Sequence, residues 1–215
     1  MAEVKLYSPL EEGINIYSHA TGLVLSLVAL ALMVTRAGLY GNTLQVVSVC
    51  VFGASLVALY GASTIYHSST NTLVRARLRI VDHATIYILI AGTYTPFALI
   101  TLNGSVGWML FAVSWGMAAT GIMLKLFFTG RFNLLSTLMY VFMGWIIVFA
   151  VKPLVNSLPL EGIYWLVAGG LSYTFGAVIY SIKKIPLNHA IFHLFVLLGS
   201  ICHVISVYFY VLPGQ

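Results

Sequence analysis

Charge is scarce in this chain. Ten Lys/Arg and five Asp/Glu are spread over 215 residues, 7% in all, where a soluble domain carries roughly 25%. So few charges cannot cover the surface of a water-soluble globule of this size. That excludes a cytosolic enzyme, a nucleic-acid binder and a disordered chain. Cysteine is sparser still. Cys50 and Cys202 both sit in apolar runs, where they read as small hydrophobes and not as a disulfide framework. Strands that alternate polar and apolar over about 10 residues are missing too. Continuous runs such as Leu23-Val24-Leu25-Ser26-Leu27-Val28 exclude a β-barrel.

The remainder is 60% hydrophobic, with a mean hydropathy of +1.00. The few charges punctuate it. Glu12 to Arg36 leaves 23 uncharged residues, Arg36 to Arg75 leaves 38, and Asp82 to Lys125 leaves 42. Arg131 to Lys152 leaves 20, Glu161 to Lys183 leaves 21, and 31 follow Lys184. A spanning helix needs about 20 apolar residues. The 42-residue gap, broken at Asn103-Gly104-Ser105, is two spans and each other gap is one. The fold class is therefore an all-α membrane protein with seven transmembrane helices. The spans run over 14–35, 44–66, 80–102, 106–128, 134–151, 160–182 and 188–211. Residues 1–12 form a short N-terminal segment, interfacial over 4–12, and 13–215 one seven-helix domain. Glu3, Glu11 and Glu12 precede the first apolar run, which reads as a signal-anchor and not a cleaved signal peptide.

Seven spans put the N-terminus on one side with the second, fourth and sixth loops. That side holds Lys5, Arg75, Arg77, Arg79, Lys125, Arg131, Lys183 and Lys184; the other holds Arg36 and Lys152. The positive-inside rule then places the N-terminus in the cytoplasm and the C-terminus outside. Arg75, Arg77 and Arg79 read as contacts to lipid phosphates that also set this topology. Tyr7, Tyr17, Trp108, Trp165 and Tyr210 read as interface anchors.

Ionisable groups inside the spans are costly and are functional candidates by default. His67 ends the second span, with Ser63 one turn before it; Asp82 and His83 open the third; His189 and His193 open the seventh at i and i+4. The topology brings His67, Asp82, His189 and His193 to one depth near the cytoplasmic leaflet. Three neutral imidazoles are a catalytic zinc donor set that leaves the fourth position to water. Zinc lowers the pKa of such a water to about 7, and imidazole donors favour zinc over magnesium or calcium. Asp82 would orient the water and take its proton; Ser63 would position it or donate to a developing oxyanion. His203, about 15 Å deeper by helix rise, reads as a buried hydrogen-bonded or cavity-lining residue and not a ligand. His83 points about 100° away from Asp82 and reads as structural or supporting. His19, with Glu12 and Asn15 on the same side, reads as packing, with a role beside the metal or as an alternative ligand left open. Pro96 is expected to kink the third span, and Pro186 sits where a helix start tolerates it.

These residues resemble a known set. Ser63-Thr64-Ile65-Tyr66-His67, Asp82-His83, Ala91-Gly92-Thr93-Tyr94-Thr95-Pro96-Phe97, Asn188-His189-Ala190-Ile191-Phe192-His193, Gly199-Ser200 and His203 look like the hemolysin III family. So do Glu11-Glu12, Asn15, His19 and Gly22 at the start. That family is the bacterial branch of the progestin and adipoQ receptor superfamily, which includes the adiponectin receptors. The resemblance implies a bacterial inner-membrane protein with zinc on His67, His189 and His193, a zinc-held water at Asp82, and Ser63 close by. The same pattern is similar to that of alkaline-ceramidase-like hydrolases. Three functions follow as alternatives: a zinc-dependent hydrolase of a lipid amide or ester, with membrane lipids or a fatty acid as ligand; a non-enzymatic membrane sensor with structural zinc; and a haemolysin.

Overall fold

The computed structural model describes residues 7–128 and 133–214. Lys5, Arg131, Gln215 and the first part of the expected 4–12 interfacial segment lie outside them. Among the described residues, eight α-helices make seven spans: α1 Pro9–Tyr40, α2 Thr43–Ser68, α3 Thr72–Pro96, α4 Gly104–Phe128, α5 Asn133–Trp145, α6 Val151–Ser157, α7 Leu160–Ser181 and α8 Asn188–Ser206. A 3-10 turn, Ile146–Ala150, joins α5 to α6 as one span. Seven stretches are long and apolar enough to cross a membrane, and no strand occurs among the described residues. The chain is an integral membrane protein with a seven-helix transmembrane fold.

Local chemistry sets the helix ends beyond the hydrophobic runs. Ser8 caps α1, its hydroxyl accepting from Glu11 N at 3.2 Å, with Pro9 in the first turn and Glu11 and Glu12 at the positive end of the helix dipole. Asn42 and Gln45 form a reciprocal capping box on α2. Asn71 Oδ1 accepts from Leu73 N and Val74 N to start α3. The first span is therefore longer than its apolar run, and the third begins at Thr72, enclosing the arginine triplet that charge counting left outside. Lys152 likewise lies within its span and does not end it. At Pro96, which lacks a backbone N–H, regular α-helix gives way to a π turn, Phe97–Leu102.

The helices close into a ring: α1 packs on α2, α2 on α3, α3 on α4, α4 on α5, α5 on α7 and α7 on α8, and α8 returns against α1. Close approach depends on small residues. A Cβ at Gly22 would strike the Tyr60 ring, and one at Gly92 would strike Ser55. The outer surface is apolar, with Leu25, Val28, Leu32, Phe127 and Phe149 exposed. The polar residues turn inward, including Asn15, Ser63, His67, Asp82, His189 and His193. This pattern suits hydrocarbon outside and a polar site within. The starts of α1, α3 and α8 meet the end of α2 at one end of the bundle, where Glu12 contacts Arg75 and Glu11 contacts the backbone of His189.

Candidate metal centre

His67 comes from the last turn of α2, and His189 and His193 from successive turns of α8. All three are buried, and one ligand atom from each lies within 4.8 Å of the others. His189 Nε2 stands 3.2 Å from His67 Nε2 and 3.0 Å from His193 Nε2. Bonds of about 2.0–2.1 Å to one tetrahedral ion place its nitrogen donors roughly 3.3 Å apart. The two separations from His189 sit close to that spacing, and the third pair lies within 4.8 Å.

Hydrogen bonding points the same way. Glu12 Oε2 lies 2.8 Å from His67 Nδ1, and its other oxygen pairs with the Arg75 guanidinium. A carboxylate paired with arginine only accepts, so His67 Nδ1 carries the hydrogen and its Nε2 presents a lone pair. His189 Nε2 has room for one hydrogen, which cannot serve both of its imidazole neighbours. A shared cation satisfies all three nitrogens at once. This buried group could hold a metal ion.

The surroundings bind the group from four helices. Arg75, expected at lipid phosphates, is 3% exposed. It donates to His67 O at 3.3 Å and Ser69 O at 3.1 Å, and lies over the Tyr66 ring. Arg77 alone of the triplet is exposed. Tyr7 stacks on His189 with ring centroids 4.7 Å apart, more than an interface anchor. Burial, with Tyr180 and Tyr66 nearby, pushes its phenol well above the usual value, so it stays protonated. Glu11 accepts from His189 N at 3.3 Å, at the start of α8. His19 stacks on His193 at 3.6 Å between centroids. Its nitrogens reach no partner among the described residues, and it is not one of the converging ligands.

Asp82 and Ser63 line a cavity of about 230 Å³ that His189 and His193 also line. Ser63 lies close enough to Asp82 for its hydroxyl to interact with that carboxyl. His83 lines the cavity as well, and its carbonyl accepts from Tyr140. Farther along, the walls turn apolar, with Leu89, Phe97, Ile147, Leu166 and Val196, and His203 lies among them. Val148, Val151 and Val155 line the cavity and are also about half exposed on the outer surface. The wall there is one side chain thick.

Missing from the residue pattern alone were the partners of the ligands: Glu12 and Arg75 on either side of His67, Glu11 at the α8 start, and Tyr7. The available signal was Glu11-Glu12 in the first turn of a membrane span, where carboxylates seldom occur without a cation.

The protein-family description "Haemolysin-III related" matches residues 7–204. The chain is 47% identical to "Hemolysin-3" of Bacillus cereus over 203 residues, covering 94% of this chain and 93% of that protein. It is 46% identical to "Hemolysin-3 homolog" of Bacillus subtilis (strain 168) over 200 residues, covering 93% and 94%. It is 28% identical to the human "Monocyte to macrophage differentiation factor" over 208 residues, covering 93% and 84%. Seven spans, an inward-facing histidine cluster and a match over nearly the full length agree, and the chain belongs to the haemolysin-III family.

Proposed function

We propose that this protein is a zinc-dependent hydrolase of a lipid amide or ester, working at the cytoplasmic leaflet of a bacterial inner membrane. The observation that carries the reading is three Nε2 atoms converging at 3.0 and 3.2 Å on a largely apolar cavity that also holds a carboxylate. His67, His189 and His193 would hold the ion. Zinc, when bound, supplies a Lewis acid and lowers the pKa of coordinated water to about 7. Asp82 takes a proton from the attacking water and returns it to the leaving amine or alcohol as the acyl bond breaks. Ser63 Oγ–H, beside Asp82, donates to the carbonyl oxygen as negative charge builds there. The apolar walls hold the acyl chain and keep bulk water out. The thin wall at Val148, Val151 and Val155 gives the tail a lateral route from the bilayer. Cytoplasmic placement is supported by the basic residues Arg75, Arg77, Arg79, Lys125, Lys183 and Lys184 at the histidine end, against Arg36 and Lys152 at the other.

The test is release of fatty acid from ceramides and phospholipids by purified protein and Asp82→Ala, both assayed for bound zinc. Release by wild type alone supports the reading. Equal background from two zinc-loaded proteins removes it.

A second reading is a non-enzymatic membrane sensor whose metal staples α2 to α8. It is favoured by the network from Glu12 through Arg75, which ties α1 and α3 to the same point. There, folded Asp82→Ala keeps the effect on membrane order that His67→Ala loses. The names of the Bacillus relatives suggest a lytic alternative, which requires dose-dependent conductance in planar bilayers.

A further inference from the structure

We propose that the inner reach of the cavity is a binding site for a hydroxyl group carried on the tail of the lipid, with His203 Nε2 as its acceptor. This rests on the reading above of the cavity as an acyl-chain site. His203 lies on α8, ten residues beyond His193 and about 15 Å along the helix axis, and lines the same cavity. It is 5% exposed. Its Nδ1 stands 2.7 Å from Gly199 O. A carbonyl oxygen only accepts, so Nδ1 carries the hydrogen and the neutral ring has its lone pair on Nε2. The described structure gives the ring no second hydrogen bond.

The ring is held in place from both sides. One face stacks on Tyr173, with centroids 5.1 Å apart and planes at 20°. The Cε1 corner of the ring lies nearest Gly169, where any Cβ would collide with it. Ser200 fixes the support, accepting from Tyr60 OH at 2.7 Å and meeting Tyr173 OH at 2.9 Å. The other hydroxyls nearby donate to their own helices, Thr93 to Leu89 O and Thr174 to Gly170 O.

An acceptor fixed in apolar surroundings lacks the bonds that water would give it, so a donor there gains more than at a wet site. The apolar walls require that the donor ride on a hydrocarbon chain. A carboxylate has no hydrogen to give and is excluded. With the acyl carbonyl at the histidine cluster, 15 Å corresponds to roughly a dozen methylenes. The ligand class is an acyl lipid with a hydroxyl near that carbon.

The experiment uses full-length, zinc-loaded protein in lipid nanodiscs. The probes are octadecanoic acid and its two derivatives hydroxylated at carbon six or carbon twelve, with binding read from intrinsic tryptophan fluorescence, since Trp145 lines the cavity. Wild type should bind the carbon-twelve isomer about 3- to 10-fold more tightly than the other two. His203→Phe should bind all three alike. Affinity independent of hydroxyl position in wild type, or a preference that survives in His203→Phe, overturns the proposal. If His203→Phe does not fold, the positional series in wild type decides alone. A positional preference without any lipid hydrolysis keeps this inference and removes the hydrolase. Hydrolysis without a preference does the reverse, and failure of all three acids to bind overturns the site.

Discussion

Glu12 Oε2 accepts a hydrogen bond from His67 Nδ1 at 2.8 Å, joining the first turn of α1 to the last turn of α2. The bond fixes which nitrogen of His67 carries hydrogen and which way its ring faces. The same carboxylate neutralises Arg75, a cation buried beneath the end of α2. One side chain therefore orients a candidate ligand and compensates a buried charge.

Replacing that carboxylate separates the two roles from the fold. Glu12→Gln should weaken metal retention about 10- to 100-fold, the usual effect of losing a ligand's hydrogen-bonding partner. Competition with a zinc-chelating dye measures it. Unchanged retention in folded Glu12→Gln would show that the His67 ring is oriented by other contacts.

Removal of the ion should cost stability, because the group joins the second span to the last. Ligand linkage gives about 4 kcal/mol at a free metal concentration roughly 1,000 times Kd. A chelator should lower the Tm of wild type, while His67→Ala and His193→Ala should start low and not respond. Elemental analysis of the same three proteins checks the metal content directly. A chelator response that persists in both variants would place the ion elsewhere.

Two glycines of α1 form a matched pair. A Cβ at Gly22 would strike Tyr60, whereas one at Gly13 meets nothing within 4 Å. Gly22→Ala should destabilise by about 1–3 kcal/mol through overpacking, and Gly13→Ala should be neutral or better, since alanine favours helix by up to about 1 kcal/mol. Unfolding of both in the same detergent gives the comparison; equal effects would contradict the α1–α2 packing.

Orientation is open to a single fusion. A reporter active only outside the cell, attached after Gln215, should be active, and one active only in the cytoplasm should be silent. The opposite result would put the histidine end on the outer face.

Much of this was readable because a bilayer simplifies the sequence. Charges mark the loops, so seven spans follow from the gaps between them. Once spans alternate in direction, depth alone brings His67 toward His189 and His193. What depth cannot supply is rotation about each helix axis. Arg75, Arg77 and Arg79 look equivalent along the chain, yet Arg75 is buried against Glu12 and Arg77 is exposed. Helix ends were also hidden, since caps such as Ser8 and Asn71 extend a helix through residues that hydropathy excludes. The π turn after Pro96 has the same origin: proline announces a disturbance without saying what form it takes.

The two halves of the histidine cluster are 122 positions apart, and the second half lies in the seventh span. At about 5–20 residues per second, the ribosome takes roughly 6–25 s to go from one to the other. Throughout that interval His67 waits in the membrane without its companions, and Glu12 and Arg75 have already arrived to shield it. Any metal that this group holds can be captured only once α8 is in place, so a chain cut short before α8 would lack two of the three histidines.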